Sequence, residues 1–153
     1  MANPIVVITE VGDLDKLFAR LAVAIDSTAV LDDAGAILLR RIRLRFRSEQ
    51  DPDGVTWPES KAAARRKAGK YTYRRGRKWT GTGTLFETGD LFHSIQLAGT
   101  GPNQRTIASA TPYGHYHQEG KGQVRRAFMG FNNADVIAVE KMVLDRIARE
   151  LGQ

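Results

Sequence analysis

The sequence predicts an α+β fold in one domain, on three observations. Apolar residues recur at helical spacing near both ends of the chain. Between them, short β-branched or alternating stretches flank a Gly-Thr-Gly-Pro-Asn turn, as an antiparallel hairpin would. At 153 residues, with no internal repeat and no linker, there is length for one hydrophobic core and not comfortably for two. The predicted architecture is a small antiparallel sheet packed against N-terminal and C-terminal helices.

The elements follow in order. Ile5-Val6-Val7-Ile8-Thr9 is β-branched and short, the pattern of an opening strand. Leu14, Leu17, Phe18, Leu21, Ala22 and Ile25 then form one apolar stripe on a helix, with Asp13 or Asp15 at its amino end. Ser27 or Thr28 caps a second helix through Leu31, Leu38, Ile42 and Phe46. Within it, Arg41-Ile42-Arg43-Leu44-Arg45-Phe46-Arg47 alternates strictly, which is also the period of a half-buried strand. The helix is preferred because the pattern begins well before Arg41 and nothing breaks it; Leu44 is then left among the arginines. Either reading gives one apolar face and one arginine face.

Asp51-Pro52-Asp53-Gly54 is turn chemistry and ends that element. After Trp57-Pro58, residues 60–67 are helical on propensity alone. Residues 69–83 are Gly, Thr, Lys, Arg and Tyr with scarcely an aliphatic side chain, which predicts a mobile or partner-ordered basic loop. Leu91, Phe92 and Ile95 fall at helical offsets, Ile95-Gln96-Leu97-Ala98 and residues 106–110 make the hairpin, and residues 127–131 suggest a further strand. Asn132 or Asn133 caps a last helix with the stripe Val136, Val139, Val143, Leu144, Ile147 and Leu151.

Composition excludes several function classes. With no cysteine there are no disulfides, thiolate zinc sites or cysteine nucleophiles. No apolar run approaches the roughly 18 residues of a membrane helix, and the first ten residues lack the basic start and long hydrophobic centre of a secretion signal. Charge is more informative. Residues 40–78 hold 14 basic side chains against four acidic ones, whereas the rest of the chain holds nine against 13. Such polarity predicts an anionic partner, either an acidic protein surface or nucleic acid.

Catalytic signatures are weak. His115 and His117 share a face with Glu119 if that stretch is a strand, and His-X-His with a carboxylate suits zinc. A metal site needs further ligands and partners that orient them, so a polar strand end is the preferred reading and no metal or cofactor is expected. Gly81-Thr82-Gly83-Thr84 lacks the phosphate-loop spacing, and no serine has a nucleophile-elbow context. An enzyme is not expected. Arg41, Arg43, Arg45, Arg47, Arg65, Arg66, Arg74, Arg75 and Arg77 are the candidates for partner contact, with Tyr71, Tyr73 and Trp79 interleaved in a manner compatible with nucleic acid. Trp57, Phe92, Phe128 and Phe131 are the expected packing anchors.

Four strings in order resemble the phage virion morphogenesis family, the tail-completion and head–tail joining proteins of Mu-like and related phages. They are Arg45-Phe46-Arg47-Ser48-Glu49-Gln50-Asp51-Pro52-Asp53-Gly54-Val55-Thr56-Trp57-Pro58; Leu85-Phe86-Glu87-Thr88-Gly89-Asp90-Leu91-Phe92-His93-Ser94-Ile95; Tyr113-Gly114-His115-Tyr116-His117-Gln118-Glu119-Gly120; and Val124-Arg125-Arg126-Ala127-Phe128-Met129-Gly130-Phe131. Ala127 stands where the family usually has proline, and the basic stretch from Lys70 to Lys78 is longer than in short members. The resemblance implies a non-enzymatic virion protein at the neck or tail end, made in the host cytoplasm and assembling with itself into a ring, by analogy a hexamer. Implied partners are other neck, connector or tail-tube proteins, with nonspecific contact to DNA in the channel and no membrane. A nonspecific nucleic-acid-binding module is the runner-up. A metal-dependent hydrolase using His115, His117 and Glu119 ranks far below.

Overall fold

The computed structural model describes residues 27–70, 73–74, 77–78, 83–101 and 103–150. The strand at residues 5–9 and the helix after Asp13 lie outside them, as does part of the basic stretch. The described elements are α1 (Ser27–Ser48), α2 (Lys61–Lys67), β1 (Tyr73–Arg74), β2 (Arg77–Lys78), α3 (Asp90–Ser94), β3 (Ile95–Gly101), β4 (Gln104–Ser109), α4 (Gly114–Glu119) and α5 (Asn133–Glu150). β3 and β4 pair antiparallel in the register Ile95–Ser109, Leu97–Ile107, and β1 and β2 make a second short antiparallel ladder. The fold is α+β, as composition and periodicity indicate.

α1 resolves the competition between helix and strand. Val30, Ala34, Leu38, Ile42 and Phe46 are buried along one side, at the offsets of a helix. Leu44 is left 46% exposed on the outer ridge. The same helix packs on the β3–β4 sheet through Gly35: a Cβ there would lie 2.6 Å from Leu97 Cδ1, so a larger residue would have to displace the Leu97 side chain. α5 lies along α1 and buries Val139 and Val143. Leu144, expected in its stripe, is instead 60% exposed, because the stripe on this helix is narrow and Leu144 falls outside it. Leu151 lies outside the described residues.

An aromatic cluster closes the core at the carboxyl end of α1. Phe46 meets Trp57, Phe92 and Phe128 at ring-centroid distances of 5.5, 5.6 and 5.5 Å. Trp57 and Phe128 are buried, and Phe92 and Phe131 are partly buried against the same core.

Two local expectations fail for physical reasons. Residues 127–131 belong to no strand, because side chains from elsewhere take their backbone groups. Gln118 Oε1 accepts from the Phe128 and Met129 N–H groups, and Gln118 Nε2 donates to the Met129 carbonyl at 2.9 Å. Trp57 Nε1 donates to the Ala127 carbonyl, and Arg45 donates to those of Phe128 and Gly130. The His115–Glu119 stretch is helix α4, not a strand. On a helix, residues two apart point roughly 160° apart, so His115 and His117 do not share a face.

Candidate partner-binding surface

The arginines of α1 divide by what they touch. Arg45 is only 7% exposed, and its guanidinium bonds Asp135 on α5 together with the Phe128 and Gly130 carbonyls. Arg41, half-buried, donates to the other Asp135 oxygen. Burial pushes the Arg45 guanidinium below its ordinary value, and the Asp135 carboxylate opposes that shift. Arg43 donates to the Ile95 carbonyl at 3.2 Å and stands over the Phe92 ring at 5.8 Å. These three hold the core together. The reading of Arg45 as a partner-facing cation is therefore corrected: its position on the helix faces α5, and a buried guanidinium needs its carboxylate there. Toward the carboxyl end of α1, Arg40, Leu44 and Arg47 are exposed along one ridge, spaced four and three residues apart.

Sequence reasoning misses Asp135 as a site residue, although half of its role is visible in the chain. Asn132 Oδ1 accepts from the Asp135 N–H and Asp135 Oδ2 accepts from the Asn132 N–H, each at 2.9 Å, which is a reciprocal helix cap. An Asn-X-X-Asp run before an apolar stripe signals that cap. The arginines, 94 and 90 residues away, leave no comparable local signal.

Arg66 is likewise internal. Ser60 caps α2 by accepting from the Ala63 N–H, and the helix turns Ala63 and Arg66 inward. Arg66 Nη2 donates to the Gly83 carbonyl at 2.8 Å, and Glu49 Oε1 accepts from the adjoining Thr84 N–H at 2.9 Å. Burial lowers the Arg66 guanidinium, and the carboxylates of Glu87 and then Glu49 act against it. Arg66, too, is corrected from a surface contact to an internal clamp. Its bond joins α2 to the point where the chain returns at Gly83.

That clamp sits where the basic stretch ends. The chain leaves at Lys70, whose N–H donates to the Arg65 carbonyl, pairs Tyr73 with Lys78 and Arg74 with Arg77, and returns at Gly83 beside Glu49. Glu49 holds a left-handed backbone, φ 55°, as does Leu85, φ 64°. Side chains other than glycine rarely adopt it, and both residues flank this junction. The carboxyl ends of α1 and α2 thus meet at one corner. Arg47, Arg65, Lys67 and Lys70 are exposed at or just beyond these helix ends. Lys67 pairs with Glu59 at 2.8 Å. Tyr71, Arg75 and Trp79 lie outside the described residues; Arg74 and Arg77 are placed by the ladder.

The histidines occupy another part of the surface. His117 packs edge-on against Tyr113, and its carbonyl accepts from the Arg126 N–H. Burial, and then the Arg126 cation, hold the His117 imidazole below its ordinary value. The fold therefore favours the neutral ring. Its stabilising share is complete above the unfolded pKa of about 6.5 and is lost as pH falls through that value toward the depressed one. Thermal melts are expected to decline from about pH 6.5 downward, and His117→Gln is expected to flatten that part of the profile. An unchanged slope in the variant would assign the decline to other groups. Among the described residues, no group of three His, Asp or Glu side chains is placed to hold a metal ion. None of the described helices is long and apolar enough to cross a membrane.

Residues 9–151 match the sequence model of the phage virion morphogenesis family. Comparison with curated proteins and with solved structures gives no match.

Proposed function

The chain belongs to the phage virion morphogenesis family, which gives it a structural role in phage virion assembly, and from that premise we propose that it completes the tail or joins it to the head as a ring of its own copies. By family analogy the ring is a hexamer, assembled in the host cytoplasm and seated at the neck of the virion against connector or tail-tube proteins. It acts by docking, without catalysis. The observation that carries this reading is the basic corner. Arg66 at the end of α2 and Glu49 just after α1 both bond the chain at Gly83–Thr84, and each helix end carries exposed cations, Arg47 on one side and Arg65, Lys67 and Lys70 on the other. A heterologous ring needs two different, complementary patches on each subunit, and the charge asymmetry of this sequence supports that arrangement.

The double variant Arg47→Glu, Arg65→Glu is the direct test. Both side chains are exposed, so the melting temperature should stay within a few degrees of wild type. Self-association by sedimentation and the yield of infectious particles in a complementation assay should both fall sharply. Full complementation by a folded variant would overturn the docking role of this corner.

A second reading, contact with DNA passing through the channel, is favoured by Arg40 and Arg47. Both are exposed on the α1 ridge, with no carboxylate paired to either among the described residues. Loose phosphate binding would show a steep dependence of DNA affinity on salt, and replacing either arginine with alanine should reduce the slope by about one.

A further inference from the structure

The turn after α1 is a braced tip that holds an apolar side chain out in solvent. Asp51 Oδ1 accepts from the Asp53 and Val55 N–H groups at 2.9 and 2.8 Å, and the Asp51 N–H donates to the Val55 carbonyl. Gln50 and Thr56 bridge the base of the turn, and Gly54 supplies the left-handed backbone, φ 82°, that closes it. Val55 is nonetheless 63% exposed. Beside it, exposed Asp53 has a carboxylate that bonds nothing among the described residues. A tip already held in one shape loses little freedom on docking.

A second exposed patch carries the opposite charge. Tyr116 and Val124 are 45% and 52% exposed, and the loop between them folds back at Gly120, where a Cβ would lie 2.9 Å from that of Arg125. Lys121, Arg125 and Arg126 stand here against one carboxylate, Glu119, which pairs with Lys121 at 2.6 Å. Arg126 is buried and bonds the Pro58 carbonyl. Exposed Arg125 uses its Nε on the Gln118 carbonyl, and no carboxylate pairs with it among the described residues. Tyr113, bordered by the carboxylates of Asp90 and Glu87, stands outside this patch. Asn132 Nδ2 donates to the Pro52 carbonyl, Trp57 Nε1 to that of Ala127 and Arg126 Nε to that of Pro58. Residues 52–58 and 126–132 therefore run side by side in opposite directions, with the tip at one end and the basic patch at the other.

We infer that the Asp53–Val55 tip of one copy docks on the Tyr116, Val124 and Arg125 patch of the next. Val55 covers the two apolar side chains, and the Asp53 carboxylate meets the Arg125 guanidinium. The partner is a second copy because every copy carries both halves, one acidic and one basic, at opposite ends of the same paired stretch. Unlike patches joined head to tail are the contacts that close into rings. The inference rests on the ring reading and names two complementary patches for it, distinct from the basic corner.

A charge exchange between the patches tests this. In sedimentation velocity, Asp53→Arg and Arg125→Asp are each expected to weaken self-association by at least about tenfold, because each sets like charges against one another. The two changes in one chain restore the pair with its signs exchanged, and association should return to within about threefold of wild type. Val55→Ser leaves the charges alone and should weaken association by roughly fivefold. All of these side chains are exposed, so thermal melts of the variants should stay within a few degrees of wild type. If free subunits stay apart, the same four variants are compared by yield of infectious particles. A double exchange no better than either single variant overturns the inference and leaves the ring reading standing, as do single variants that assemble like wild type. Wild type that is monomeric both in solution and in purified virions overturns the ring reading and this inference with it.

Discussion

Replacing Asp135 with alanine is expected to lower the unfolding free energy by about 3–5 kcal/mol, the range for removing one partner of a buried ion pair. The residue is 2% exposed and does two jobs at once. It closes the reciprocal cap with Asn132 at the start of α5, and it receives Arg41 and Arg45 from α1. Without it, the buried Arg45 guanidinium keeps the Phe128 and Gly130 carbonyls but has no counter-charge. Asp135→Asn retains a capping side chain and loses the charge, so it should fall between wild type and alanine. Arg41→Ala should cost far less, about 1 kcal/mol or below, because its side chain is 35% exposed and can be solvated. Urea denaturation of the three variants gives this order directly. A loss below about 1 kcal/mol for Asp135→Ala would mean that the α1–α5 contact rests on the packing of Val139 and Val143 and on the Arg146–Asp33 pair, and not on Asp135.

The same residues show what could be read along the chain and what could not. The amphipathic stripe of α1 reports helix because tertiary packing agrees with its local period. The offsets of Val30, Ala34, Leu38 and Ile42 are those the core uses. The function of its arginines is illegible there. Exposure depends on where α5 lies, and Arg45 is distinguished from Arg47 by partners 83 to 90 residues away, the Phe128 and Gly130 carbonyls and the Asp135 carboxylate. Gln118 is a second case. Its amide serves three backbone groups of residues 128 and 129 and so replaces a strand ladder, something no propensity scale expresses. His115 and His117 read as a strand because alternation over five residues is ambiguous. The left-handed Gly120, φ 77°, and the bond from its N–H to the Tyr116 carbonyl close a short helix instead. In the basic stretch, polar composition conceals the Tyr73–Lys78 ladder.

The second large effect is expected at Phe46, where truncation to alanine should cost about 3–5 kcal/mol, in the range of other large aromatic deletions from cores. Its ring is 3% exposed and is the one that Trp57, Phe92 and Phe128 all share. These partners come from the turn after α1, from α3 and from the segment before α5, so the vacated space borders three separate parts of the chain. Collapse into it is opposed from two sides. Trp57 is tied by its indole N–H to the Ala127 carbonyl at 2.9 Å, and Phe128 by its backbone N–H to Gln118. A site that relaxes poorly keeps most of its cavity, which places the expected loss toward the upper end of the range. Phe46→Leu fills more of the volume and should recover part of the loss, with the denaturant slope unchanged if the transition stays two-state. Because Phe46 directly precedes Arg47 at the end of α1, the variant should also loosen the basic corner. Self-association should then weaken in Phe46→Ala at temperatures where the monomer is still folded. If instead stability falls as expected and assembly is untouched, the corner is positioned by Glu49 and Arg66 independently of the core beneath it.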